Sequence, residues 1–555
     1  MKKLLHTLFF AAAALAIATG NVFAHVGSAG VQMQGQAGPY KVLVSVEPPD
    51  VIPGTANVTV FIENGFAKKV SARPIYFYSG DQGAPTADDL PPVPGQTSQF
   101  KGIVWLMQSG SSSAQILIEG DQGKAELIVP IAAVSTAERA MPKELGIGLS
   151  ILGLLLFLLM ITTIGASVSD GLLKPGDELS GAQRRKRWIN MGIAAILCTL
   201  ILYGGSSWWD SWASEYKQWL YKPLKGDANV SIRNDQRVFQ LKIDTTGFAE
   251  RRRGSMLSTL IPDHGKLMHT FLVRTPGLDA FAHIHPERKD STTFEAYLPK
   301  LPAGKYLVYS DIVQFSGFAE TIVDTLEIPA QKEEVPLNVT AQEDTYVITD
   351  PMDAPGRIPL DDNVVICGKP GTKTVFSDGS YAIWEGKPDK ALEAGKPYQL
   401  NFEIYNPDGS PCFPEPYLGM TGHVAVMKSD GSVYIHLHPT GSYAMAAEKT
   451  FKNRIADTAK VVQKPTPAIF RDSVDKQMAR LNAMPMIERE QFLMTEMGMY
   501  DASGQGMSGM EHGNRISFPY AFPKGGRYRI FLQVRRNEKV LTGVFDARVS
   551  DLVTL

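Results

Sequence analysis

MHTFLVRTPGLDAFAHIHP, Met268 to Pro286, returns about 150 residues later as GHVAVMKSDGSVYIHLHP, Gly422 to Pro439, and each version carries three histidines. In the first, His269 is followed by a turn-rich gap and then by His283 and His285. In the second, His423 stands in the same relation to His436 and His438. Asp430-Gly431 lies between an apolar run and an alternating one, a strong short-range hairpin signal. Pairing Ser429 with Ser432 across that turn sets His423 opposite His438. The first copy has a longer turn, Thr275 to Asp279, and centring it on Gly277 sets His269 opposite His285. Residues two apart on a strand share a face, and opposed residues have Cβ atoms roughly 4.5–5.5 Å apart, so each hairpin is expected to gather three imidazoles on one side. Three convergent imidazoles suit Cu(II) or Zn(II).

The same face carries Phe271, Val273 and Phe281 in one copy and Ala425, Met427 and Tyr434 in the other, a core-facing surface with imidazoles at its rim. A structural network of imidazoles is the competing reading. In favour of metal, the third histidine falls into register in both copies and histidine is otherwise scarce. Beyond these six, the chain after residue 24 has only His25, His264 and His512.

Strand signals continue on both sides. Residues 227–330 read as one β-domain bearing the first hairpin, and 335–555 as a second. Thr293 to Tyr306 resembles Ser517 to Tyr528, so the unit reads as duplicated. The difference is an insertion, 440–516, with a helical pattern around Ile469 to Met494. Eight of the twenty methionines, among them Met478, Met484, Met486 and Met494, lie between 478 and 510, and His512 follows. Thioethers suit Cu(I), whereas a Met-lined helix face is ordinary packing. Gly506-Met-Ser-Gly-Met-Glu-His-Gly513 resembles the methionine and histidine segments of periplasmic copper-resistance proteins. On the metal reading, Met507, Met510 and His512 are expected to act as a mobile capture segment.

Earlier in the chain, Lys2 and Lys3 precede the apolar segment Leu8 to Ile17, and Val22-Phe23-Ala24 offers a signal-peptidase site, so 1–24 is expected to be a signal peptide. A mature His25 could chelate copper through its amine and imidazole. No second histidine occurs before His264 to complete such a brace. Residues 25–140 show short β-rich runs, from Tyr40–Val46 to Ala114–Ile118, of the kind that build a sandwich. Two charge-free stretches, Leu145 to Ser169 and Trp188 to Trp209, are long enough to cross a hydrocarbon core of about 30 Å. The loop between them holds Lys174, Arg184, Arg185, Lys186 and Arg187. By the positive-inside rule it is cytoplasmic, and the β-domains lie outside the inner membrane. Trp208, Trp209, Trp212, Tyr216 and Trp219 form an interfacial aromatic cluster.

The expected fold class is mainly β: several immunoglobulin-like β-sandwich domains plus a two-helix transmembrane hairpin spanning 145–209. The Gly-Lys-Tyr and Gly-Arg-Tyr strands resemble the small immunoglobulin-like modules of bacterial envelope proteins, including YtkA-type domains, which implies an extracytoplasmic binding role. A net charge of −2 gives no reason to expect a nucleic-acid partner, and no small-molecule substrate is evident. Cys367 and Cys412 fall in one domain and could form a disulfide or remain thiols. The functional expectation is a membrane-anchored, extracytoplasmic protein that binds a transition metal, copper before zinc, in metal handling or delivery, with an envelope protein as its partner. The rivals are a structural or partner-binding envelope protein and a metal enzyme. For the enzyme only Glu287 and His264 offer an acid or base, with no nucleophile motif or nucleotide fingerprint beside them.

Overall fold

The computed structural model describes residues 25–26, 30–138, 141–174, 176–246, 256–330, 341–352, 372–386, 391–459, 462–496 and 513–551. It is mainly β, built from antiparallel sheets, with two long apolar helices. The proposed signal peptide, Cys367, and the Met507, Met510 and His512 segment lie outside the described residues, whereas Cys412 is buried.

The chain divides into two compact units. One holds 50–52 and 134–222, and the other the rest. In the smaller unit, helix α1 (Lys143–Val168) has 26 residues and α2 (Gly181–Trp219) has 39, each long and apolar enough to cross a membrane. Ser180 caps α2 by accepting from the Gln183 amide, and the Gln183 side chain accepts from the Ser180 amide in return. Gly165 leaves room for Met191, since a Cβ there would come within 2.7 Å of its sulfur.

In the larger unit, residues 31–133 form two four-stranded sheets. Val42, Val44, Val58, Val60, Ile116 and Ile118 are buried at alternate positions of their strands, as the period of two requires.

The histidine-bearing regions follow one plan. In the first, β1 (Gly226–Arg233), β2 (Gln236–Ile243) and β5 (Thr293–Tyr297) form one sheet. The other runs in the order β7 (Ala319–Ile328), β6 (Gly304–Gln314), β3 (His269–Arg274), β4 (Ala280–Ile284), β8 (Thr345–Ile348). In the second, β9 (Tyr381–Glu385), β10 (Pro397–Tyr405) and β13 (Arg515–Ala521) are adjacent. The facing sheet runs β15 (Lys539–Ser550), β14 (Gly526–Arg536), β11 (His423–Lys428), β12 (Val433–Leu437). The order of corresponding strands is the same in both. The expected domain boundary moves: β8, placed by sequence in the second domain, is the edge strand of the first histidine sheet, with Thr345 opposite His283. Residues 25–26 add a short parallel edge to β12, with His25 opposite Val433.

The expected hairpin registers are present. Thr270 stands opposite Ile284 and Val424 opposite Leu437. Every residue of β3 except Arg274 is buried, although a sheet covered on one side would alternate. Leu272, Ala282 and Ile284 point into the first region's own core with Phe239, Leu241 and Phe294. Val424, Val426 and Leu437 do the same beside Phe402 and Phe518 in the second. The opposite faces meet one another: Phe271, Val273, Phe281 and Tyr309 share a third core with Ala425, Met427, Tyr434 and Phe531. Phe281 stacks on Phe531 with centroids 4.1 Å apart, and Tyr309 on Tyr434 at 4.3 Å.

Polar bonds lock that interface. Tyr434 donates to Asp311 at 2.9 Å, and Tyr309 donates to the Gly431 carbonyl at 2.9 Å. The fully buried Arg529 holds Asp546 through two nitrogens and reaches across to the Leu278 and Asp350 carbonyls, each at 2.9 Å. Helices α3 (Met445–Ala456), α4 (Pro467–Ala483) and α5 (Met486–Glu496) come from the insertion.

Candidate metal centre

Because the two histidine faces lie against each other, imidazoles at their rims come together in a single buried cluster. The nitrogen donors of His269, His283 and His285 lie within 4.8 Å of one another, and those of His264, His423 and His438 do the same. The grouping differs from expectation in one respect. The second group takes His264 from the other region's loop, while His436 stands beside it, its ring centroid 4.5 Å from His438 and 5.3 Å from His423. All seven rings are at most 9% exposed.

His264 reaches this position through a turn. Asp263 and Lys266 exchange backbone hydrogen bonds of 2.8 and 2.9 Å, and His264 adopts φ 50°, the left-handed region that few non-glycine residues occupy. Such conformations persist where the surrounding structure imposes them and are common at functional sites.

Hydrogen bonding shows which nitrogen each ring presents. His269 donates through Nε2 to the Asp263 carbonyl at 3.0 Å, leaving Nδ1 inward. His283 donates through Nδ1 to Gln533 Oε1 at 2.7 Å, with the Tyr417 hydroxyl at 3.2 Å, leaving Nε2 inward. His285 donates through Nδ1 to Asp344 at 2.9 Å, and its Nε2 is buried without a protein partner. In the second group His438 donates through Nδ1 to the Tyr443 carbonyl at 2.9 Å, and its Nε2 lies 2.9 Å from His264 Nε2. Both nitrogens of His423 and Nε2 of His436 are buried with no partner. An outward N–H held by a carbonyl or carboxylate and an inward lone pair is the arrangement of metal-ligating histidines.

Burial is the first cause of depressed basicity in all seven rings; neighbouring imidazoles add to it in six, and the Lys266 ammonium adds to it at His269, where Asp263 opposes the fall. His438 is pushed down to about 3, and His264, His269, His283, His285, His423 and His436 fall below the ordinary histidine value. Neutral imidazoles keep the lone pairs that a metal requires. Burial raises Asp344 to about 7 and Asp311 to about 6, and lowers Lys266 to about 8. Asp311 also lies 3.7 Å from His436 Nδ1.

The insertion covers one side. Glu490 of α5 accepts from the Leu418 and Gly419 amides at 3.2 and 2.7 Å, and Arg489 pairs with Glu343. Leu493 packs at Gly265, where a Cβ would meet it at 3.0 Å. Three methionines of the helical part are used in packing. Met478 lies against the first region's core, Met494 is buried, and the Met486 sulfur accepts from Arg535. Gln533 could have been singled out in the sequence, because it interrupts the apolar run Ile530-Phe-Leu of a central strand. Asp344 and the Asp263 and Tyr443 carbonyls gave no such signal.

A family model described as a domain of unknown function (DUF8832) matches residues 374–465, a stretch that includes His423, His436 and His438. No curated protein sequence matches the chain. Among solved structures, dimeric latent PorU from Porphyromonas gingivalis is 8% identical, over 94% of this chain and 34% of that one, with a TM-score of 0.13. A putative membrane anchored protein from Corynebacterium diphtheriae is 9% identical, over 94% of both chains, also with a TM-score of 0.13. The chain therefore spans about a third of the PorU chain, and at these scores neither likeness bears on fold or function.

Proposed function

We propose that this chain is a membrane-anchored, extracytoplasmic protein that binds a transition metal, copper before zinc, and serves in metal handling or delivery. The observation that carries the reading is the orientation of His269, His283 and His285. Each spends one nitrogen on an outward hydrogen bond and turns the other toward the remaining two. Nitrogen donors without carboxylate or thiolate suit Cu(II) and Zn(II), and copper is placed first because Met507 and Met510 of the same chain carry thioethers, which stabilise Cu(I). The two apolar helices, the basic residues between them and the amino-terminal leader support anchoring in the inner membrane with the β-regions outside. We read the three β-regions as immunoglobulin-like sandwiches, the second and third as copies of one unit, and Met507, Met510 and His512 as a capture segment.

A second reading has one specific observation behind it. Turning over the Gln533 amide would let His283 donate through Nε2 to His269 Nδ1, 3.2 Å away, as a purely structural pair. It leaves His285 Nε2, His436 Nε2 and both His423 nitrogens buried and unpaired, at about 1–3 kcal/mol each. Metal binding supplies His285 Nε2, His436 Nε2 and one nitrogen of His423 with a partner, and we prefer it for that reason.

The test is metal titration of the detergent-solubilised full chain against a form with His269, His283 and His285 replaced by alanine. Tight copper uptake that falls in the variant is expected. Negligible uptake by both, with a loss of stability alone in the variant, would establish the structural reading instead.

A further inference from the structure

The two groups of three share a wall. His269, of the first, lies edge to face with His264, of the second, at a centroid separation of 5.8 Å. His436 belongs to neither group, yet its centroid is 5.5 Å from His269, 5.6 Å from His283, 5.3 Å from His423 and 4.5 Å from His438. Its Nδ1 faces Asp311, and Nε2, on the other side of the ring, has no partner.

Seven imidazoles are more than one ion uses, since sites for these metals hold three or four protein ligands. Partnerless nitrogens also occur in both groups: His285 Nε2 in one and the His423 nitrogens in the other. An ion in the first group alone leaves the His423 nitrogens buried without a partner, and an ion in the second alone leaves His285 Nε2 so.

We propose that the seven histidines form one centre for two transition-metal ions. His269, His283 and His285 hold one ion, His264, His423 and His438 hold the other, and His436, standing between the groups, gives its Nε2 to one of the two. This rests on the metal reading above and adds to it the number of ions, their proximity and the need for both β-regions. His264 joins its ion from the opposite region, so the second ion is held across the interface.

Copper(II) is the probe. Full-length protein in detergent is stripped with chelator, reloaded, and assayed for copper per chain by mass spectrometry and for spin coupling by electron paramagnetic resonance. Two copper ions per chain are expected, with a spectrum broadened by spin–spin interaction and carrying a half-field transition. A His283→Ala/His285→Ala form and a His423→Ala/His438→Ala form should each retain one ion with an isolated spectrum. His436→Gln should lose the coupling or one ion while unfolding at the wild-type temperature; unchanged coupling removes His436 from the centre. Two ions with isolated spectra, or a single ion in the wild type, would overturn the shared centre while leaving metal binding intact. No copper at all ends both proposals.

Discussion

Nδ1 of His269 and Nε2 of His283 lie 3.2 Å apart, and each ring's other nitrogen is engaged outward, with the Asp263 carbonyl and with Gln533. Two lone pairs at that distance repel unless a cation or a proton stands between them. With Gln533 Oε1 facing His283, the surrounding bonds aim both lone pairs at one point, as the proposed metal site requires.

Asp344 gives a way to weaken that field without touching a ligand. It accepts from both Nδ1 and the backbone amide of His285, at 2.9 and 3.1 Å. Asp344→Asn keeps an acceptor and removes the charge, and should reduce metal affinity about 10–100-fold, as loss of an outer partner does elsewhere. Competition titration against a chelator measures this, and an unchanged constant would mean that His285 is not a ligand.

Acid should unfold the metal-free protein early. The seven imidazoles have folded-state values below the unfolded histidine value, so below about pH 6.5 the unfolded chain binds more protons and stability falls as pH drops. Asp344 and Asp311, raised to about 7 and about 6, act in the opposite direction, because the folded state binds their protons more tightly. Burial raises Glu490 as well, and seven groups against three decide the sign. Denaturation midpoints for the metal-free chain should decline from pH 7 to pH 5, and a flat profile would show that the imidazoles are not buried in solution.

Arg529→Met is expected to cost roughly 3–5 kcal/mol, the usual penalty for leaving a buried ion-pair partner alone. Asp546 would lose both of its bonds to the guanidinium, and the Leu278 and Asp350 carbonyls would lose their shared donor. Urea denaturation of the variant and of an Arg529→Met/Asp546→Leu double variant separates the two effects. The double form should recover part of the loss.

The orientation in the membrane is open to chemical labelling. A Lys186→Cys form in which Cys198, Cys367 and Cys412 are serine should react with a membrane-impermeant maleimide only after the cytoplasmic side is exposed. Labelling of intact spheroplasts would reverse the orientation.

Much of this arrangement was legible in the chain. The turns at Gly277 and Asp430-Gly431 set both hairpin registers, since pairing is a local property once the turn is placed, and the apolar residues beside the histidines marked a covered face. Which surface covered it was not legible. Phe281 meets Phe531 and Tyr434 meets Asp311 across more than a hundred residues, and no pattern within either strand encodes that choice. His264 was visible only as a possible acid or base, because its place in the second group depends on a left-handed turn and on docking of the other region. For the helix methionines, packing and a soft ligand set were both open in the sequence; Met478 lies against a core and Met494 is buried, as packing requires.

The third core, shared by Phe271 and Tyr434, also imposes an order in time. During synthesis the first histidine strands emerge well before the second, and β14, which supplies Gln533, comes near the end of the chain. Loop closure over such distances is slow compared with forming either hairpin. The full set of nitrogens exists only after both halves have docked, so a chain arrested midway offers an incomplete trap. Completion of the seven-imidazole cluster therefore coincides with the last long-range step of folding.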